Sequence, residues 1–121
     1  MSSFTTPLQL TYVDGRTWCL CAEFDFASEV LERLIRIPSG CDTDFASIPR
    51  ALWSWLPPTG RYGKAAVVHD WLYRTPGQAS RLDADRVLLE GMTVLQVSRF
   101  TRWLIYSGVR VGGAGSYKGG L

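Results

Sequence analysis

Polar and apolar residues alternate through Leu8-Gln9-Leu10-Thr11-Tyr12-Val13 and again through Thr17-Trp18-Cys19-Leu20-Cys21. A period of two is the mark of a half-buried strand. Asp14-Gly15 between the runs is a two-residue turn signal, since glycine supplies the positive φ a tight hairpin turn needs. A third strand is expected to end at Ile35-Arg36-Ile37-Pro38, and Phe24 to Glu32 reads equally well as loop or strand. From Ser39 to Arg50 the chain is too polar and too broken by Gly40 and Pro49 for a core element, so it reads as an ordered loop. Ser47 is placed to cap a short helix from Pro49 through Leu56, with proline in the first turn where no amide donor is needed. Pro57-Pro58-Thr59-Gly60 then breaks the chain.

The period lengthens after Gly60. Tyr62, Ala65, Ala66, His69 and Tyr73 recur at three- and four-residue spacing, which predicts a helix over Arg61 to Arg74 ended by Thr75-Pro76-Gly77. A second helix opens with Ser80 and Asp83, a capping-box-like pair, and runs to about Leu95. A third spans Ser98 to Val109, with Phe100, Trp103, Leu104 and Ser107 on one face. The expected architecture is one α+β domain, an N-terminal antiparallel hairpin or meander followed by a loop and a three-helix C-terminal part. Strands occupy residues 1–38, the ordered loop and short helix 39–60, helices 61–111 and a Gly-rich tail 112–121.

With 121 residues the chain is long enough to bury a core without disulfide staples. It holds three cysteines, Cys19, Cys21 and Cys41, an odd number that forms no closed disulfide framework. With His69 they could form a zinc site, but C-x-C is not a usual zinc spacing, and buried, reduced thiols are the expected state. No apolar run is long enough to span a bilayer, and the start lacks the basic and apolar blocks of a secretory signal, so a cytoplasmic location is expected. A net charge of +2 is no strong nucleic-acid signal, although seven of the 11 acids and only three of the 13 basic residues lie in residues 1–45. The basic second half suits an anionic partner, or is simply a solvated helical surface.

Asp85 is the residue that demands an explanation. Its helical neighbours Leu82, Leu88, Leu89 and Met92 are apolar, so its carboxylate is expected to be buried, and a buried charge needs a partner. The chain has a single histidine, His69, on the preceding helix, and a short connection makes the two helices antiparallel neighbours. An imidazole oriented by a carboxylate, with its other nitrogen turned to water, is the arrangement of general base catalysis. A core histidine whose bond to Asp85 only holds the fold is the alternative, and Arg110 or Arg81 could equally partner Asp85. Asp70 points about 100° around the helix from His69, where it is a candidate ligand for a divalent cation with Asp42 and Asp44 of the loop. Asp44 could instead cap the short helix near Ser47. Trp53 and Trp55, between Leu52 and Leu56, are either packing or an interfacial patch.

Three motifs in order, Ile37-Pro38-Ser39-Gly40-Cys41-Asp42-Thr43-Asp44-Phe45-Ala46-Ser47-Ile48-Pro49-Arg50, His69-Asp70-Trp71-Leu72-Tyr73, and Ser80-Arg81 with Ala84-Asp85 and Met92, resemble a family of small phage and prophage proteins of unknown function. That resemblance covers about Ile37 to Arg110 and implies a phage or prophage origin, with other phage proteins or the host envelope as partners and the host cytoplasm or the virion as location. A remoter resemblance joins the His-Asp-x-x-Tyr helix and the following Asp-bearing helix to secreted phospholipases A2. It implies that His69 activates water, Asp70 binds calcium, Asp85 orients His69 and Tyr73 supports it. The flanking cysteines and Gly-rich calcium loop of that family are missing here, and the Asp42–Asp44 loop would have to stand in. The expected function is a phage-encoded hydrolase that attacks an ester or amide bond of the host envelope through His69 and Asp85. Tyr73, Asp44, Ser47 and Arg110 support the pair, with a divalent cation such as calcium on Asp70 and Asp42. The rival expectation is a non-enzymatic virion, tail or assembly component, or a binder of a host factor, in which the same motifs only lock the fold.

Overall fold

The computed structural model describes residues 2–14, 17–43, 62–113 and 117. The expected hairpin is present: β2 (Leu10–Asp14) runs antiparallel to β3 (Thr17–Leu20), with Leu10 opposite Leu20 and Tyr12 opposite Trp18. Phe24 to Glu32, ambiguous in the sequence, divides into β4 (Phe24–Ser28) and a turn that leads to β5 (Arg33–Ile37). β1 (Ser3–Phe4) completes a sheet of order β1-β4-β5. The loop expected from Ser39 onward contributes a short strand, β6 (Asp42–Thr43), which pairs with β3 to make the second sheet, β2-β3-β6. Backbone pairing with Trp18 and Cys19 is what makes this polar stretch a strand, and side-chain pattern gives no warning of it. The short helix expected at Pro49–Leu56, its cap Ser47, and Asp44, Trp53 and Trp55 lie outside the described residues.

One face of the first sheet supplies the strand side of the core. In the β4–β5 register Phe24 faces Ile37 and Phe26 faces Ile35, so four apolar side chains line the same surface, and the Phe4 ring lies 4.4 Å from that of Phe26. The helices supply most of the remainder. α1 (Gly63–Arg74) buries the expected Tyr62, Ala65, Ala66, His69 and Tyr73, but also Val67, Val68, Asp70 and Leu72, because strands cover the side that a simple amphipathic helix would leave wet. α2 (Arg81–Val94) begins as expected, with Ser80 Oγ accepting from the Asp83 amide at 3.1 Å. α3 (Arg99–Gly112) carries Phe100, Trp103, Leu104 and Ser107 along one face, as the spacing predicts. Its buried residues are Ile105 and Val109, whereas Phe100 and Trp103 face outward. The cysteines are corrected, since Cys19 and Cys41 are half-buried and Cys21 is exposed.

α1 and α2 run antiparallel: Gly91 of α2 meets Ala65 of α1, while Asp85, earlier on α2, meets His69 and Tyr73, later on α1. The helices approach so closely at Gly91 that a Cβ there would lie 2.9 Å from Ala65 Cβ and 3.2 Å from Phe4 Cζ. Ala65 Cβ is fixed to its helix, and the Phe4 ring is held against Phe24 and Phe26. Gly91→Ala is therefore expected to destabilise the protein by about 1–3 kcal/mol through overpacking, visible as a lowered melting temperature. An unchanged melt would mean that the crossing is looser than this geometry.

Candidate functional site

Histidine and tyrosine four residues apart share one face of a helix. His69 and Tyr73 of α1 do so with ring centroids 4.1 Å apart, and both turn toward α2. There Asp85 is 0 % exposed. His69 Nε2 lies 2.7 Å from Asp85 Oδ1, and the Tyr73 hydroxyl donates to the same oxygen at 2.6 Å. Arg110, near the end of α3, donates from Nη1 to Asp85 Oδ2 at 2.7 Å. Three helices thus converge on one carboxylate. The sequence offers Arg110 and Arg81 equally for this contact, and in the structure Arg110 makes it. Arg81 stands one step behind it, donating from Nη2 to the carbonyls of Val109 and Arg110 at 2.9 and 2.7 Å. A cation at the negative end of α3 is favourable in itself, and here it also fixes the turn from which Arg110 reaches Asp85.

Burial works against ionisation of Asp85, but the hydrogen bonds from His69, Tyr73 and Arg110 outweigh it and hold the carboxyl below its ordinary value. Burial, reinforced by the bond to Asp85, pushes the Tyr73 phenol well above its usual range, so it serves as a donor and never as a phenolate. A carboxyl whose value is depressed by folding contributes stability that is complete above its unfolded value of about 3.9 and is lost as pH falls through the folded one. The denaturant midpoint is accordingly expected to fall as acid is added below about pH 4, and to fall less steeply in Asp85→Asn. Parallel acid profiles for the two proteins would contradict the assignment.

Asp70 is not arranged as the expected metal ligand. It is buried, Thr43 Oγ1 donates to its Oδ2 at 2.7 Å, and Arg74 Nε lies 3.2 Å from its Oδ1. A cation would have to displace a guanidinium to bind there. Asp42 is exposed, and what it sends toward α1 is its backbone carbonyl, which accepts from Arg74 Nη1 at 3.2 Å. Among the described residues no three His, Cys, Asp or Glu side chains group closely enough to hold a metal, so Cys19, Cys21, Cys41 and His69 do not assemble the zinc alternative. Asp70 as placed does not fit the cation, and no chemical step is drawn through one. The loop does reach the end of α1 as expected, through the Thr43 hydroxyl and the Asp42 backbone carbonyl, while Asp44 lies outside the described residues.

Sequence reasoning missed Thr43, whose signal was its place between two acids that drew the attention. It also missed Glu90 of α2. That carboxylate accepts from the Ser28 hydroxyl at 2.7 Å and from the Glu29 and Val30 amides at 2.7 and 3.3 Å, clamping the β4–β5 turn to the helix.

A family model matches residues 18–109. The chain belongs to the DUF1353 family, proteins of unknown function. The matched DUF1353 stretch contains Thr43, His69, Asp70, Tyr73, Arg81 and Asp85 and ends one residue before Arg110. No curated protein and no solved structure matches the chain.

Proposed function

We propose that this protein is a phage-encoded hydrolase in which His69, held by Asp85 and Tyr73, activates water for attack on an ester or amide bond. The observation that carries the reading is the buried Asp85 carboxylate 2.7 Å from His69 Nε2. In the proposed reaction the ring bonded to Asp85 through Nε2 takes the proton of water at its other nitrogen, Nδ1. The hydroxide so formed attacks the carbonyl carbon, and the tetrahedral intermediate collapses as His69 returns the proton to the leaving oxygen or nitrogen. One water is consumed, and a carboxylic acid and an alcohol or amine are released. Asp85 stabilises the imidazolium that exists between the two transfers, and Tyr73 fixes the oxygen to which the ring is bonded. This is the division of labour in secreted phospholipases A2, without the metal role given there to the Asp following the His. The host envelope is the proposed source of the substrate.

A single observation favours a second reading: His69 is 1 % exposed. In that reading the same network braces a non-enzymatic virion, tail or assembly component or a host-factor binder.

Hydrolysis of a short-chain nitrophenyl ester, an anilide and a dispersed phospholipid by the purified protein tests the proposal. Turnover of at least one is expected. It should show no initial burst, because water and not a side chain attacks the substrate. Turnover no faster than buffer on all three would leave the brace reading in place.

A further inference from the structure

The hydrolase reading needs water and a carbonyl carbon within reach of His69, yet that ring is 1 % exposed and Tyr73 beside it 4 %. The described residues that follow α3 lie against Tyr73. Gly113 passes so close that a Cβ on it would stand 2.7 Å from the Tyr73 phenol oxygen and 3.2 Å from Cε2. Tyr117 sets its ring edge-on to Tyr73 with centroids 5.4 Å apart. Its hydroxyl donates to the carbonyl of Ala79, one residue ahead of the Ser80 cap of α2. Tyr117, Tyr73 and His69 therefore stand ring against ring in a row. Exposure falls along it, from the half-buried Tyr117 through Tyr73 to the imidazole, so the row runs from the surface inward to His69.

We propose that Tyr117 is a latch: with its ring on Tyr73 and its hydroxyl on Ala79 it keeps the site closed, and its release admits water and substrate to His69. This inference rests on the reading of His69 as a base that activates water. The contacts single out Tyr117 as the part that moves. α1 and α2 are locked where Gly91 meets Ala65 and where Asp85 answers His69 and Tyr73. α3 is tied down by Arg110 on Asp85 and by Arg81 on the carbonyls of Val109 and Arg110. Gly113 caps α3 through its bond to Val109 and stays with the helix. Tyr117 belongs to no helix or strand, and among the described residues one hydrogen bond and one ring pair hold it. A segment with so few buried contacts opens locally while the rest of the fold stays intact, and such lids gate many active sites. Losing a hydrogen bond of this kind shifts an opening equilibrium by up to about tenfold.

Modification by diethyl pyrocarbonate is the test, since the chain holds one histidine and the absorbance of the carbethoxylated ring follows His69. Tyr117→Ala is expected to raise the labelling rate about tenfold or more over the parent, and Tyr117→Phe, which keeps the ring and loses the hydroxyl, by a smaller factor. Turnover of whichever substrate the parent hydrolyses should rise with it. Gly91→Ala is the control for unfolding, because it weakens the fold at the helix crossing and leaves Tyr117 in place. Circular dichroism reports whether each variant is folded, and Tyr117→Phe carries the test if Tyr117→Ala is not. Labelling unchanged in the folded Tyr117 variants, or raised as much in Gly91→Ala as in them, would overturn the latch. Faster labelling with no turnover by parent or variant would uphold the closure of His69 by Tyr117 and defeat the hydrolase reading. Turnover by the parent with labelling unmoved by the Tyr117 substitutions would defeat the latch and leave that reading standing.

Discussion

Asp85→Ala is expected to destabilise the protein by about 3–5 kcal/mol, the cost of removing one partner from a buried charged pair. The carboxylate is 0 % exposed and answers three donors from three positions: His69, Tyr73 and Arg110. Without it the Tyr73 hydroxyl loses the bond made at 2.6 Å, and His69 loses the bond that orients its ring. Arg110, with about a third of its side chain exposed, can turn toward water and recover part of its loss. Against a total of roughly 5–15 kcal/mol for a domain, the change should lower the melting temperature by many degrees. Asp85→Asn should cost less. Its amide can be turned so that the oxygen accepts from Arg110 and the nitrogen donates toward His69, provided that the imidazole adopts the other tautomer. A melt of Asp85→Ala within a degree or two of the parent would show that the network carries little of the stability.

His69→Ala should lower both stability and turnover. The ring is 1 % exposed and lies against Tyr73, so its removal opens a cavity and leaves Asp85 with one donor fewer. An exposed imidazole would be cheap to delete, and a mild melt would then mark a functional site. Burial removes that distinction, because the brace and the hydrolase both predict a lower melting temperature. The rate is what separates them. Loss of a general base costs about 10²–10⁴ in turnover, whereas a brace has no turnover to lose. His69→Gln fills more of the space and keeps a donor for Asp85, so it allows the comparison in a folded protein.

Much of this site was legible because burial of a charge is a strong constraint. An acid between Leu82, Leu88, Leu89 and Met92 had to meet a partner, and the short Thr75–Ala79 connection brought the only histidine within reach. The choice of Arg110 over Arg81 was not legible, since it depends on how α3 lies across α2. The direction in which α3 turns its apolar face was not legible for a related reason. Periodicity finds an apolar face, but it does not say whether that face meets protein or something else, and here Ile105 and Val109 turn inward while Phe100 and Trp103 turn outward. The fate of Asp70 also escaped the sequence. A conspicuous acid beside a histidine reads as a cation ligand, yet Thr43 and Arg74 occupy its oxygens once β6 pairs with β3. Long-range strand pairing decides that contact, and local pattern carries no trace of it.

The central claim is that His69, oriented by Asp85, is a base that activates water. Its most direct test is the steady-state rate of ester or amide hydrolysis by the parent and by His69→Gln, at one temperature where both are folded. The account predicts turnover by the parent above buffer and a rate about 10²–10⁴ lower in the variant. Equal rates in the two proteins, or a parent no faster than buffer, would contradict it.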